Sequence, residues 1–189
     1  MARLYAALVH YPVLNRRGEI IASAITNLDL HDLARAGRTY DVRACYVVTP
    51  LRDQQALSER LLKHWNEGIA RELLPERVEA LRRIKVVEDI RAAADDIASV
   101  HGLRPGIWAT TAGKGERRLT HREARRLLVE DAKPYLLLFG TGWGLAPAVF
   151  DQVDAVLEPI AGMNGYNHLS VRCAAAILFD RLLRADQSI

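Results

Sequence analysis

Cysteine is scarce. The 189 residues hold two, Cys45 and Cys173, far apart and in no metal-ligand spacing. A cysteine metal site is thereby excluded. The thiols read as cytosolic and reduced, with a single disulfide as the alternative. The His and Asp residues lack ligand spacing too, so no metal is expected. Long apolar runs are also missing. No stretch reaches the roughly eighteen apolar residues of a membrane span. The opening MARLYAALVHYPV is too short and interrupted for a secretion signal. Neither sign of charge dominates: 26 Lys and Arg face 23 Asp and Glu, a formal net charge of +3 with a pI near 9.0. That balance is compatible with RNA without demanding it. We expect a soluble cytoplasmic protein with no membrane and no metal.

Two nucleotide motifs are absent. A dinucleotide fingerprint needs G-x-G-x-x-G at the first strand–helix turn. A phosphate loop needs G-K-[ST], and Lys114 in AGKGE is followed by glycine. Repeats and low-complexity tracts are missing as well.

Half of the residues are hydrophobic, enough for one sizeable core. Apolar strand patterns occupy 4–13, 44–50, 84–89, 106–112, 134–140 and 155–162. Helical periodicity occupies 27–40, 52–74, 75–83, 90–102, 119–132 and 168–185. Asn27 or Asp29 suits the first N-cap, Thr120 with Glu123 reads as a capping box, and Gly102 closes a helix. This alternation predicts an α/β fold of one domain over 1–189, with a mostly parallel sheet covered by helices on both faces.

Two glycine loops attract attention. YLLLFGTGWGL, 135–145, runs a strand into Gly140, Gly142 and Gly144. PIAGMNGYNHLS, 159–170, follows the next strand and leads into the last helix. Carboxyl ends of strands in open α/β sheets are where ligands bind, and helix N-termini suit polar or anionic groups. About fifteen residues separate the loops, too few for a full crossover. APAVFDQVDAV holds one helical turn at most.

LLLFGTGWGL, LEPIAG and NHLSVRCAAAILFDRLL together resemble the SPOUT class of RNA methyltransferases, in order and in spacing. NLDLHDLARAGRTYDVRACYVV resembles the first motif of that class, with Arg35 on its arginine. The middle of the chain, about 51–130, matches only in rhythm. The resemblance implies a C-terminal trefoil knot, which would account for the short connection. It implies S-adenosylmethionine held bent among backbone groups of the two loops, an RNA substrate (tRNA or rRNA), and a homodimer whose partner completes each site. Phe139, Gly140, Thr141, Gly142, Gly144, Ile160, Gly162, Leu169 and Ser170 would form the cofactor cradle. Leu169 would open the last helix. Arg35, Asn167, His168 and Ser170 would serve catalysis. Thr141 stands where the best-known branch has an acid, and His168 where it has asparagine. These departures give a second reading: a knotted RNA- or nucleotide-binding protein without catalysis. His10 and Asn15 are further candidates for the cleft, and Trp143 for stacking on a base. Lys114, Arg117, Arg118, Arg122, Arg125 and Arg126 form the densest basic cluster, suited to phosphate.

Overall fold

The structure, a computed structural model, describes residues 3–185 except 114, 116 and 117. The first strand β1 (Leu4–Val9) is buried at every residue. A short antiparallel hairpin follows, β2 (Val13–Leu14) and β3 (Ile20–Ile21). Next come α1 (Asn27–Thr39), β4 (Cys45–Val48), α2 (Arg52–Glu67), α3 (Ala70–Leu73) and α4 (Pro75–Leu81). The chain continues through β5 (Ile84–Val87), α5 (Ile90–His101), β6 (Gly106–Ala109), α6 (His121–Glu130) and β7 (Tyr135–Gly140). It closes with α7 (Pro147–Phe150), β8 (Ala155–Val156) and α8 (Val171–Leu183). The main sheet is parallel throughout, in the order β5-β4-β1-β7-β6-β8.

Strand side chains alternate between faces, and both faces are covered. Leu4, Ala6 and Leu8 join Leu30 and Leu33 of α1, Leu128 of α6, and Leu178 and Phe179 of α8. Tyr5, Ala7 and Val9 join Ala93 and Ile97 of α5 and Val149 of α7. That double burial is why the strands read as continuous apolar runs. Phe139 meets Phe179 edge to face at 5.9 Å, fixing β7 to α8. Within this sheet β4, the next strand in sequence after β1, lies to one side of it and β7 lies to the other. The order therefore reverses between β1 and β7, and their carboxyl ends open a crevice.

Several expected boundaries shorten. The first strand stops at Val9 and the segment to 21 becomes the hairpin. Asn15 Oδ1 accepts the N–H groups of Arg17 and Glu19, and Gly18 takes a positive φ of 79°, so side-chain chemistry closes this turn locally. The expected helix 52–74 ends at Glu67, because Gly68 turns to extended backbone (φ −87°, ψ −176°) after giving its N–H to the carbonyl of His64, and a Cβ there would sit 2.6 Å from that oxygen. Ile69 consequently stands exposed rather than on an apolar stripe. The helix over 75–83 ends at Leu81, the strand over 106–112 ends at Ala109, and the strand over 155–162 is two residues long.

The helix boundaries shift in the same way. The first helix is capped by Thr26, not by Asn27 or Asp29; Asp29 supplies the N3 half of a capping box. The expected Thr120–Glu123 box is present, and so is the left-handed cap at Gly102. One turn of helix does occupy 147–150. Both cysteines are free, Cys45 buried and Cys173 exposed. Burial pushes the Cys45 thiol up to about 12, so it is inert at neutral pH. Among the described residues, no helix is long and apolar enough to cross a membrane.

Candidate active site

A cleft of about 660 Å³ opens at the carboxyl ends of β1, β6 and β7. Its walls are the glycine turn after β7, the loop between β8 and α8, residues 110–113 after β6, and a segment following the hairpin. The volume falls within the usual small-molecule range.

The glycine turn folds tightly onto its neighbours. Trp143 donates its N–H to the carbonyl of Leu14, and Leu14 donates to that of Gly144, each at 2.9 Å. Ala146 donates to the carbonyl of Pro12. A Cβ on Gly140 would sit 2.5 Å from the backbone N of Leu145, and one on Gly142 would sit 2.8 Å from the Leu14 carbonyl oxygen. Gly142 also takes a φ of 59°. The first partner of these glycines is therefore the hairpin and the turn itself, and the same backbone then lines the cleft. Trp143 is 59% exposed at the cleft mouth.

Thr141 is buried, and its Oγ1 donates to the carbonyl of Val9 at 3.0 Å. Ser23 Oγ lies 2.5 Å from Thr141 Oγ1, and His10 Nδ1 lies 2.9 Å from Ser23 Oγ. Burial lowers the His10 imidazole below its usual range, while the charge of Asp29 and the backbone at Ser23 and Ala24 pull it up. Asp29 is buried at the start of α1, where it accepts from Thr26 N and Oγ1. Its other oxygen is 3.5 Å from Arg172 of α8, whose Nε is 3.4 Å from Asp32. The first turns of α1 and α8 are thus joined beside the cleft.

The second loop is held by Asn167, whose Nδ2 donates to the carbonyl of Ala112 at 3.1 Å. His168 is exposed, its ring 5.3 Å from that of Tyr166. Ser170 caps α8 by accepting from Cys173 N at 3.3 Å. The last helix therefore begins at Val171, so Asn167, His168 and Leu169 precede it rather than open it. Ile160 and Leu169 supply apolar wall, with Phe139 and Leu178. Glu158 also lines the cleft and accepts the His121 N–H at 2.9 Å.

Of the residues expected from sequence, the cleft gathers Phe139, Gly140, Thr141, Gly142, Gly144, Ile160, Asn167, His168, Leu169 and Ser170, with His10 and Trp143. Arg35 and Gly162 are exposed and stand outside its lining, as does Asn15. Of the basic cluster, Lys114 and Arg117 lie outside the described residues. Arg125 instead bonds the carbonyl of Arg184, and Arg126 faces Glu130 at 3.8 Å. Sequence reading missed Ser23, Asp29, Thr110, Thr111 and Glu158 as cleft residues. Only Asp29 carried a signal, as a helix-start acid.

A family model described as SAM-dependent RNA methyltransferase matches residues 3–184. A tRNA (guanine-N(1)-)-methyltransferase of Nitratidesulfovibrio vulgaris is 51% identical over 180 residues, covering 95% of this chain and 42% of that protein. An uncharacterized protein of Aquifex aeolicus is 34% identical over 184 residues, covering 97% of this chain and 90% of the other. The SpoU methyltransferase AviRb from Streptomyces viridochromogenes, solved in complex with the cofactor AdoMet, superposes with a TM-score of 0.57 at 14% identity, over 97% of this chain and 58% of that one. That last likeness concerns the fold.

Proposed function

This chain belongs to the family of S-adenosylmethionine-dependent RNA methyltransferases, and from that membership we propose that it transfers a methyl group to RNA at the cleft between β1 and β7. The observation that carries the reading is the meeting of two loops, 140–144 and 158–170, across one cleft at the reversal of strand order.

The residues present fit an adenosyl cofactor. Phe139, Ile160, Leu169 and Leu178 offer apolar wall to an aromatic base, and the glycine turn offers backbone without side-chain bulk. Asp29 and Glu158 bring negative charge suited to a sulfonium and an ammonium group. Bound there, the cofactor supplies an already electrophilic methyl carbon. The work left to the chain is to align a nucleophilic nitrogen or oxygen with it and to receive the proton that nucleophile loses.

The target RNA is a further proposal. The chain spans 42% of the N. vulgaris relative, a tRNA (guanine-N(1)-)-methyltransferase. That activity belongs to a protein more than twice as long, so bulk tRNA is the first substrate to try, rather than a settled position on it. Exposed Trp143 in the cleft lining offers stacking, and exposed Arg16 and Arg17 at the hairpin tip offer phosphate contact.

We also propose a homodimer, supported by exposed Tyr166, Met163 and Leu169 around the second loop. In such a dimer Arg35, which stands outside its own protomer's cleft, would serve the partner's. A trefoil knot over the C-terminal segment and a cytoplasmic location complete the reading. The experiment is titration with S-adenosylmethionine followed by transfer of labelled methyl to bulk tRNA. Cofactor binding without transfer to any RNA would favour the non-catalytic reading instead.

A further inference from the structure

His10 carries a polar atom that finds no hydrogen-bond partner among the described residues. The residue is fully buried in the wall of the cleft, and its Nε2 makes no hydrogen bond. Its other ring nitrogen begins a chain of contacts: His10 Nδ1 to Ser23 Oγ at 2.9 Å, Ser23 Oγ to Thr141 Oγ1 at 2.5 Å, and Thr141 Oγ1 to the Val9 carbonyl at 3.0 Å.

The direction of that chain follows from its last member. A carbonyl oxygen only accepts, so Thr141 gives its one hydroxyl proton to Val9. Thr141 can then only accept from Ser23, whose single proton goes there. Ser23 in turn can only accept from His10, which must carry its proton on Nδ1. A neutral imidazole holds one N–H, so Nε2 is a bare lone pair. Burial favours that neutral form. An unmet buried acceptor is costly, and natural sites keep few of them.

We propose that His10 Nε2 is an acceptor reserved for an N–H or O–H donor on the molecule that fills the cleft. Two sources carry such donors: the adenosyl cofactor itself and the RNA nucleotide that receives the methyl. The identity of the donor rests on the methyltransferase reading; the tautomer does not. If the donor is the RNA nucleophile, the lone pair also takes the proton that group gives up, forms the imidazolium and returns the proton to water. The other titratable or charged groups sharing the cleft are Asp29, Glu158 and His168.

Nitrogen NMR of the imidazole-labelled chain is the first test. The expected result at neutral pH is a proton on Nδ1 and none on Nε2; a protonated Nε2 overturns the proposal. S-adenosylhomocysteine is then added, followed by bulk tRNA. A shift of the Nε2 resonance with the first marks the cofactor as donor. A shift only with the second marks the RNA. No shift with either overturns the proposal.

The variant His10→Asn keeps an amide donor toward Ser23 and removes Nε2. With a cofactor donor it should bind S-adenosylmethionine about tenfold more weakly. With an RNA donor it should bind normally, lose roughly 10²-fold in transfer rate and lose the acidic limb of the pH–rate profile. A folded variant with unchanged binding and rate overturns the proposal. An unaltered chain that gives no heat with S-adenosylmethionine overturns the methyltransferase reading instead, so that heat tells the two failures apart.

Discussion

Ser23 Oγ stands 2.5 Å from Thr141 Oγ1, joining a segment just after the hairpin to the middle of the glycine turn. The contact explains why threonine occupies 141, where the best-known branch of the class has an acid. A carboxylate there would have no proton to give the Val9 carbonyl, and the two oxygens would repel. Ser23→Ala should break the contact and leave His10 Nδ1 unpaired. A loss of about 1–3 kcal/mol is expected from leaving a buried donor unmet. Urea titration reads it as a lower midpoint with an unchanged slope, and an unmoved midpoint would show the contact to be idle.

Glycine is required unequally across the two loops. Gly140→Ala would press a Cβ against the backbone N of Leu145 at 2.5 Å and the carbonyl carbon of Gly144 at 2.7 Å. Backbone must move, so a loss of about 1–3 kcal/mol is expected. Gly162→Ala meets Asn164 Oδ1 and the Tyr166 carbonyl at an ordinary 3.7 Å. It should change stability by less than about 0.5 kcal/mol. Equal effects in thermal melts would contradict the assignment.

Phe139→Ala removes the edge-to-face partner of Phe179 and part of the cleft wall. A loss of about 3–5 kcal/mol is expected, as for other large core aromatics. Phe139→Leu should recover most of that stability while still altering the apolar wall. The pair separates packing from binding when both are measured by denaturation and by cofactor titration.

Acid should weaken the fold through four histidines, of which His10 and His31 are buried and His101 and His121 half-buried. His10, His31, His101 and His121 are all lowered from the usual imidazole range, in each case chiefly by burial. The unfolded chain therefore binds more protons than the folded one below about pH 6.5, and stability falls as pH drops. Above that value the contribution is fully present. Urea midpoints at pH 5 should lie below those at pH 7.5, and His10→Asn should reduce the difference. A pH-independent midpoint across that window would contradict the desolvation of these rings.

What the sequence made legible was local chemistry. The Thr120–Glu123 box and the Gly102 cap are decided within a few residues, and so are the apolar runs of β1 and β7. The hairpin was missed because its strands are two residues long, too short to show alternation, although Asn15 and Gly18 close its turn locally. Ser23 was missed because its partners lie 13 and 118 positions away. The glycine turn was legible as a loop at the carboxyl end of a strand, and it lines the cleft. Its hydrogen bonding to Leu14 was not, because nothing near Gly142 in sequence encodes it.

The measurement that bears most directly on the central claim is titration calorimetry of the unaltered chain with S-adenosylmethionine. Saturable heat with one site per chain is predicted, weakened by Gly140→Ala. No heat at about millimolar cofactor, a binding free energy weaker than roughly 4 kcal/mol, would contradict the cleft between β1 and β7 as the cofactor site.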